Sequence, residues 1–381
     1  MKFTTNQQIR IDIISQYLNG QIFAEDASAA IGIKERQFRR LVKKFREQGV
    51  ISVLHGNINR EPLNKLPVGC LNQIASLYKN KYKGFNLVHF IEKLHENEFV
   101  LVPDVPCYST IRNFFIKEKL IQRTKKKITK IHRMRKRYEK EGIMVQIDGS
   151  PHRWIYGSSP FCLTAAIDDA TGKLLGATFT RTETTFAAMD VVESIIKKYG
   201  RFQMLYSDKA GIYGGGKREG FSNMNRAMKE LEIISLQANS PQAKGKVERL
   251  FKTLQDRLVS EISIRPINTI EEANKFLHEE FIDLFNKKFA VLAEDKVSAY
   301  RSLPDDIDLN EVFTNRVERT VKSGQIINYN SEQYVVTNQE YGSLIKKIIE
   351  IRHYRNGDMK MFLLSGQAVS YQILDKALKA A

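Results

Sequence analysis

Three cysteines in 381 residues, none in a CxxC pair, exclude a disulfide-stapled scaffold and a cysteine-based zinc knuckle. Cys70, Cys107 and Cys162 stand far apart, and each reads as an ordinary buried thiol. No apolar run approaches the roughly 18 residues of a membrane-spanning helix, and "MKFTTNQQIR" lacks the apolar centre of a signal peptide. A cytoplasmic protein with no membrane partner is expected. The glycine-rich stretch "GIYGGGKREG" contains no GKS or GKT, which rules out a phosphate-cradling P-loop and leaves a flexible segment. Acidic residues are also scarce: 43 Asp and Glu face 60 Lys and Arg, a formal charge of +17. That surplus suits a polyanionic partner, and nucleic acid fits better than an acidic membrane surface.

Room exists for two to four domains with real cores. Residues 1–54 read as a helix-turn-helix domain, because in "AEDASAAIGIKERQFRRLVKKFREQG" Gly32 separates a small-residue helix from a basic one. Phe38, Leu41, Val42 and Phe45 fall at i, i+3, i+4 and i+7, which leaves Arg36, Arg39, Arg40, Lys43 and Lys44 facing outward toward DNA. A solvated basic face on a plain helical hairpin is the competing account. Residues 55–122 form a second helical block, "FNLVHFIEKLHE" and "VPCYSTIRNFFIKEKL", with Ser109 as N-cap. It reads equally as a second helix-turn-helix, with Arg112 toward DNA, or as a packing module. Residues 123–142 are a basic linker: 123 to 140 hold ten Lys or Arg against one Glu, so Lys125, Lys126, Lys127, Arg133, Arg135, Lys136 and Arg137 are candidates to track phosphates.

At residue 143 the composition shifts to β-formers. "IMVQIDG", "PFCLTAAIDDATGKLLGATFTR", "TFAAMDVVESIIKKYG" and "RFQMLYSD" predict the order β-β-β-α-β, and a further helix, strand and helix complete a mixed sheet flanked by helices. Asp148 is expected at the end of the first strand and Asp208 at the end of the fourth. Glu248 lies on the last helix beside the apolar stripe Val247, Leu250, Phe251, Leu254 and Leu258, and is expected to point toward the sheet. Carboxylates gathered without cations would repel and protonate, so three hard oxygen donors point to Mg²⁺ or Mn²⁺. Asp168 and Asp169 precede "ATGK" and read as turn formers, the natural substitutes should Asp148 be misassigned.

The stretches "VQIDGSPHRW", "LYSDKAG" and "NSPQAKGKVERLFKTLQ" together resemble the transposase and retroviral-integrase superfamily, whose ribonuclease H-like core carries an Asp, Asp, Glu triad. The likeness is strongest to bacterial insertion-sequence transposases of the ISNCY group. Two departures stand out: 39 residues separate Asp208 from Glu248, more than usual, and Lys209 stands where many integrases have Asn. The resemblance implies Asp148, Asp208 and Glu248 as catalytic metal ligands for two Mg²⁺ or Mn²⁺ ions, with no covalent protein intermediate. It implies DNA contacts from Lys244, Lys246 and Arg249, with Asn239, Gln242 and His152 in supporting places. For Asn239 and Gln242 a plain capping loop competes, and for His152 a surface role. The implied partners are double-stranded DNA, both transposon ends and target, and a homodimer or larger assembly on it; the implied location is the bacterial cytoplasm in association with the nucleoid. Two other classes compete: a silent, domesticated DNA-binding regulator, and a ribonuclease H-like nuclease that cuts but never joins.

The catalytic core spans 143–265, and 266–308 is a helical extension and linker opened by Thr269 as N-cap of "NTIEEANKFLHEEFIDLFNKKFAV". Short β-rich runs over 309–381 predict a small C-terminal β-barrel. Its Arg316, Arg319, Lys322, Lys346, Lys347 and Arg352 suit DNA or another subunit, with simple folding mass as the alternative. The expected class is therefore a multidomain α and α/β chain with a β C-terminus.

Overall fold

The computed structural model describes residues 3–54, 67–98, 101–102, 105–123, 136–208, 222–237, 245–337 and 342–374. The chain divides into two compact units, Met1–Asn72 and Gln73–Ala381.

In the first unit, α1 (Thr5–Leu18) opens with a capping box between Thr4 and Gln7, and α2 (Ala24–Ile31) ends at Gly32 as its sequence requires. The basic helix α3 (Glu35–Gln48) buries Phe38 and Val42 against Ile14, Ala27 and Val53. The helical spacing of the apolar residues produces this division: one stripe packs while Arg36, Arg40, Lys43 and Lys44 stay exposed.

Three helices follow, α4 (Val68–Asn80), α5 (Leu87–Asn97) and α6 (Tyr108–Lys117). Tyr78 packs its ring against Phe90 and Phe115, and Ile74, Tyr82, Phe85, Leu94 and Ile111 are buried around them. The N-cap of α6 is Cys107 rather than Ser109, which sits inside the first turn. That place at a helix end also explains why Cys107 is exposed, contrary to the expectation of three buried thiols; only Cys162 is buried. Hydrogen bonds from the Ser109 and Thr110 hydroxyls pull the Cys107 thiol down to about 7.

A five-stranded sheet of order β3-β2-β1-β4-β5 forms the centre, from β1 (Met144–His152), β2 (Phe161–Asp168), β3 (Leu174–Thr180), β4 (Met204–Ser207) and β5 (Ile234–Gln237). The first three strands are antiparallel, and β4 and β5 run parallel to β1. Helices α7 (Thr185–Tyr199) and α8 (Asn223–Glu230) cover one face through Val192, Ile195, Met224 and Met228. The other face is covered by α9 (Gly245–Ser263), α10 (Ile270–Phe276) and α11 (Ile282–Phe289), through Val247, Leu254, Phe276 and Phe285. Burial on both faces is why β2 is apolar nearly throughout rather than alternating.

Thr269 caps α10 with Glu272 completing the box, as expected. The predicted long helix runs unbroken from Ile270 to Phe289 as α10 and α11, continuous through one π-helical stretch, Leu277–Phe281. Within it His278 Nε2 reaches the Ala177 carbonyl oxygen at 2.7 Å, tying the irregular turn to β3.

Gly200, after α7, has φ +100°, and a Cβ there would lie 2.6 Å from the Arg301 carbonyl oxygen. Gly200→Ala is therefore expected to destabilise the protein by about 1–3 kcal/mol, from strain and a backbone clash that cannot move aside. A urea melt with an unchanged midpoint would contradict this.

The short α12 (Leu309–Val312) leads into β6 (Asn315–Thr320), β7 (Ile326–Tyr329), β8 (Glu332–Val336), β9 (Ile348–His353), β10 (Met359–Leu363), β11 (Ala368–Val369) and β12 (Tyr371–Ile373). The expected small barrel is, among the described residues, two sheets of order β11-β10-β9-β6 and β12-β8-β7, not one closed ring. Ile327, Tyr334, Ile349, Ile351 and Met361 share their core. No helix among the described residues is long and apolar enough to cross a membrane.

Candidate active site

Parallel pairing of β1 with β4 sets the site. The ladder ends at Gln146↔Tyr206, so Asp148, within β1, and Asp208, one residue past the end of β4, each lie two residues beyond the last rung. Each is half-buried. Asp148 is not at the end of its strand, as expected, because β1 runs on through His152 in its antiparallel pairing with β2, where Asp148 faces Ala165. It is β4 that stops, at Ser207, just before Asp208.

Glu248 sits in the first turn of α9, and Val247 N–H donates to Gln146 Oε1 at 3.4 Å, which holds that turn against β1. The side chain of Glu248 is exposed, not turned to the sheet as expected. Val247, Leu250, Phe251, Leu254 and Leu258 fill the buried stripe, and position 248 falls just outside it. The two aspartates thus lie level with each other, and the first turn of α9 is tied to β1 at Gln146, two residues before Asp148. Among the described residues no three His, Cys, Asp or Glu side chains lie close enough together to hold a metal ion.

Asp168 does behave as a turn former: its carboxylate accepts from Thr171 N–H and hydroxyl, each at 2.7 Å, and from Gly142 N–H at 3.0 Å. Burial still pushes its pKa upward. Asp169 has another use. It is fully buried, accepts from Gln146 Nε2 at 2.8 Å and pairs with Lys246 Nζ at 2.8 Å. The ammonium of Lys246, expected at a phosphate, is held there by Asp169.

Among the other expected residues, Arg249 is exposed beside Glu248, and Arg39 is exposed with its guanidinium on Glu35, 2.9 Å from Nε. Arg112 is partly buried on α6. Lys136 pairs with Glu139 at 3.2 Å, and Arg137 donates to the Ala170 carbonyl oxygen at 3.3 Å. His152 lies edge-on to Trp154, with ring centroids 5.2 Å apart. Lys125, Lys126, Lys127, Arg133, Arg135, Asn239, Gln242 and Lys244 lie outside the described residues. In the C-terminal sheets Arg316 and Arg352 are tied to Glu230 and Glu350, whereas Arg319, Lys322, Lys346 and Lys347 are exposed.

One neighbour of the site escaped the sequence reading. Glu183, just before α7, lies against Gly149, where a Cβ would be 2.6 Å from its Oε1. Adjacent strand residues point to opposite faces, so Glu183 approaches β1 from the side opposite Asp148. The glycine following Asp148 was the available signal. Cys162 lies close by: burial first, then the charges of Glu183 and Asp148, push its thiol up to about 11, which leaves it inert as a nucleophile.

No family model matches the chain. It is 30% identical over 377 residues to the "Putative transposase y4bF" of Sinorhizobium fredii (strain NBRC 101917 / NGR234), covering 96% of this chain and 80% of that protein. It is 29% identical over 375 residues to the transposase for insertion sequence IS1202 of Streptococcus pneumoniae, covering 88% and 79%. Similar solved structures include the HTLV-2 integrase catalytic core domain in complex with magnesium, in its dimeric form, at 14% identity and TM-score 0.31, covering 41% of this chain and 93% of that one. A simian T-cell lymphotropic virus intasome in complex with PP2A regulatory subunit B56 gamma matches at 13% identity and TM-score 0.35, covering 76% and 100%. The curated relatives define the class as that of the transposases. Within it, the chain belongs to the transposase family that the Sinorhizobium and Streptococcus relatives represent.

Proposed function

We propose that this protein is a DNA transposase, binding the ends of its element and catalysing DNA cleavage and strand transfer at Asp148, Asp208 and Glu248. The observation that supports this reading is the β1–β4 register, which sets Asp148 within β1 level with Asp208 just past β4, while the turn of α9 that bears Glu248 is held to Gln146.

Carboxylate oxygens are the donors that Mg²⁺ and Mn²⁺ favour, and the β1–β4 register sets Asp148 and Asp208 level with each other, so the donor chemistry of these residues fits a divalent ion. Asp148, Asp208 and Glu248 would hold the divalent metal, and the exposed Glu248 side chain would turn inward to do so. When bound, such ions supply Lewis-acid stabilisation of the phosphoryl group and a more acidic attacking hydroxyl. The chain's own part is to hold DNA: the exposed arginines and lysines of α3 suit phosphates and a groove, as a helix-turn-helix would use them, and Arg249 suits the phosphates at the scissile bond. Residues 55–122 would act as a second DNA-binding module, 123–142 as a phosphate-tracking linker, and 309–381 as a DNA or subunit contact. A homodimer or larger assembly would bring two ends together.

The test is cleavage and joining of DNA ends taken from the flanks of the gene, in Mg²⁺ or Mn²⁺, by wild type and Glu248→Gln. Wild type should nick and join, while the variant binds the ends and does neither. Equal activity of the two would remove Glu248 from the reaction, and binding by wild type without any cutting would favour the DNA-binding regulator.

A further inference from the structure

We propose that Gln146, Asp169 and Lys246 form a positioning clamp that sets the height and rotation of α9, and so the placing of Glu248 relative to Asp148. The proposal rests on the reading of Glu248 as a catalytic carboxylate.

Its basis is a chain of contacts connecting the two acids through distant segments. Gln146 lies two residues before Asp148 on the same face of β1, is 1% exposed, and uses both ends of its amide. Nε2 donates to Asp169 Oδ1 at 2.8 Å, and Oε1 accepts from Val247 N–H, the residue preceding Glu248. Asp169, with no exposed surface, is itself fixed: its N–H donates to the Met144 carbonyl oxygen at 2.9 Å and its Oδ2 accepts from Tyr138 N–H at 3.3 Å. Lys246, two residues before Glu248, closes the circuit on the Asp169 carboxylate and also donates to the Asp169 carbonyl oxygen.

The first turn of a helix has amides without helical partners, which sequence-local side chains ordinarily cap. Here one is capped from a strand 101 residues earlier in the chain. Such a cap adds little that a local serine would not supply, except register: it ties the helix turn directly to the strand carrying the other acid. The Lys246–Asp169 pair then resists rotation about that single bond. A buried charge pair is a poor way to gain stability alone, because desolvation offsets the attraction, but it is a stringent way to fix geometry. Removing partners that orient metal-ligating groups typically costs 10–100-fold in metal affinity or activity.

The experiment compares Asp169→Asn, Lys246→Met, Lys246→Arg and Glu248→Gln in DNA-end binding, single-turnover cleavage and the Mg²⁺ concentration at half-maximal rate. Asp169→Asn and Lys246→Met should cleave about 10–100-fold more slowly at saturating DNA and need about tenfold more Mg²⁺, with end binding unchanged; Lys246→Arg should recover most of the rate. Folded Asp169→Asn and Lys246→Met with wild-type rate and wild-type Mg²⁺ dependence would overturn the clamp, as would Lys246→Met weakening end binding while Asp169→Asn cleaves normally, which would make Lys246 a phosphate contact. If Asp169→Asn does not fold, Gln146→Met decides by the same readouts. An inactive Glu248→Gln beside wild-type clamp variants sinks the clamp alone, whereas an active Glu248→Gln removes the reading beneath it.

Discussion

Asp148→Asn is expected to bind DNA ends as wild type does and to cut them at least about a thousandfold more slowly. The substitution preserves size and removes charge. Asp148 lies within β1, level with Asp208 just past the end of β4, so the two carboxylates are set on adjoining segments. A lost metal ligand forfeits several kcal/mol of transition-state stabilisation, and about 4 kcal/mol corresponds to roughly three powers of ten in rate. End binding should survive because the basic face of α3 lies in a separate compact unit. Asp168→Asn is the informative control: its carboxylate is occupied by Gly142 and Thr171, so that change should lower stability, with cleavage altered less than for Asp148. Single-turnover cleavage with pre-bound ends checks both; a wild-type rate for Asp148→Asn would refute the assignment.

The largest expected stability effect lies away from the acids. Glu261 on α9 is 5% exposed and contacts His89 Nε2 at 2.7 Å, Lys93 at 2.7 Å and Arg265 at 2.5 Å. Burial alone would raise its pKa; the hydrogen bonds from His89, Lys93 and Arg265 outweigh that and bring it down to about 2. Because the folded value is depressed, the stabilisation is present above the ordinary carboxylate value of 4.5 and is lost as pH falls from there toward about 2. Glu261→Gln should cost about 3–5 kcal/mol at neutral pH, since it strands the buried Lys93 ammonium on α5, and should flatten the acid limb of the stability profile. Urea melts from pH 3 to pH 7 check this. A variant as stable as wild type at pH 7 would mean that the α5–α9 contact is held by its apolar surface alone.

Much of the architecture was legible because the patterns are local. The stripe on α3, the Thr269 cap and the strand-helix order from 144 onward all follow from periodicity and capping chemistry within a few residues. The register of β1 with β4 was not, because a ladder depends on where two separate segments stop pairing, and β1 continues through Gly149, Pro151 and His152 against β2. The C-terminal strands were legible as strands, while their division into two sheets depends on pairings across the whole segment. At the site the three acids stood out by type and setting. Lys246 did not, since a lysine beside arginines in a basic chain looks like a phosphate ligand until a buried aspartate 77 residues earlier is found under it. Glu183 was hidden for the same reason: only the closeness of Gly149 in space reveals it.

The most direct test of the proposed chemistry is Mn²⁺ binding to the protein on a DNA end, counted by electron paramagnetic resonance for wild type and Asp148→Asn. The account predicts Mn²⁺ bound by the wild-type complex and lost, or weakened at least tenfold, in the variant. Equal Mn²⁺ binding by both complexes would contradict it.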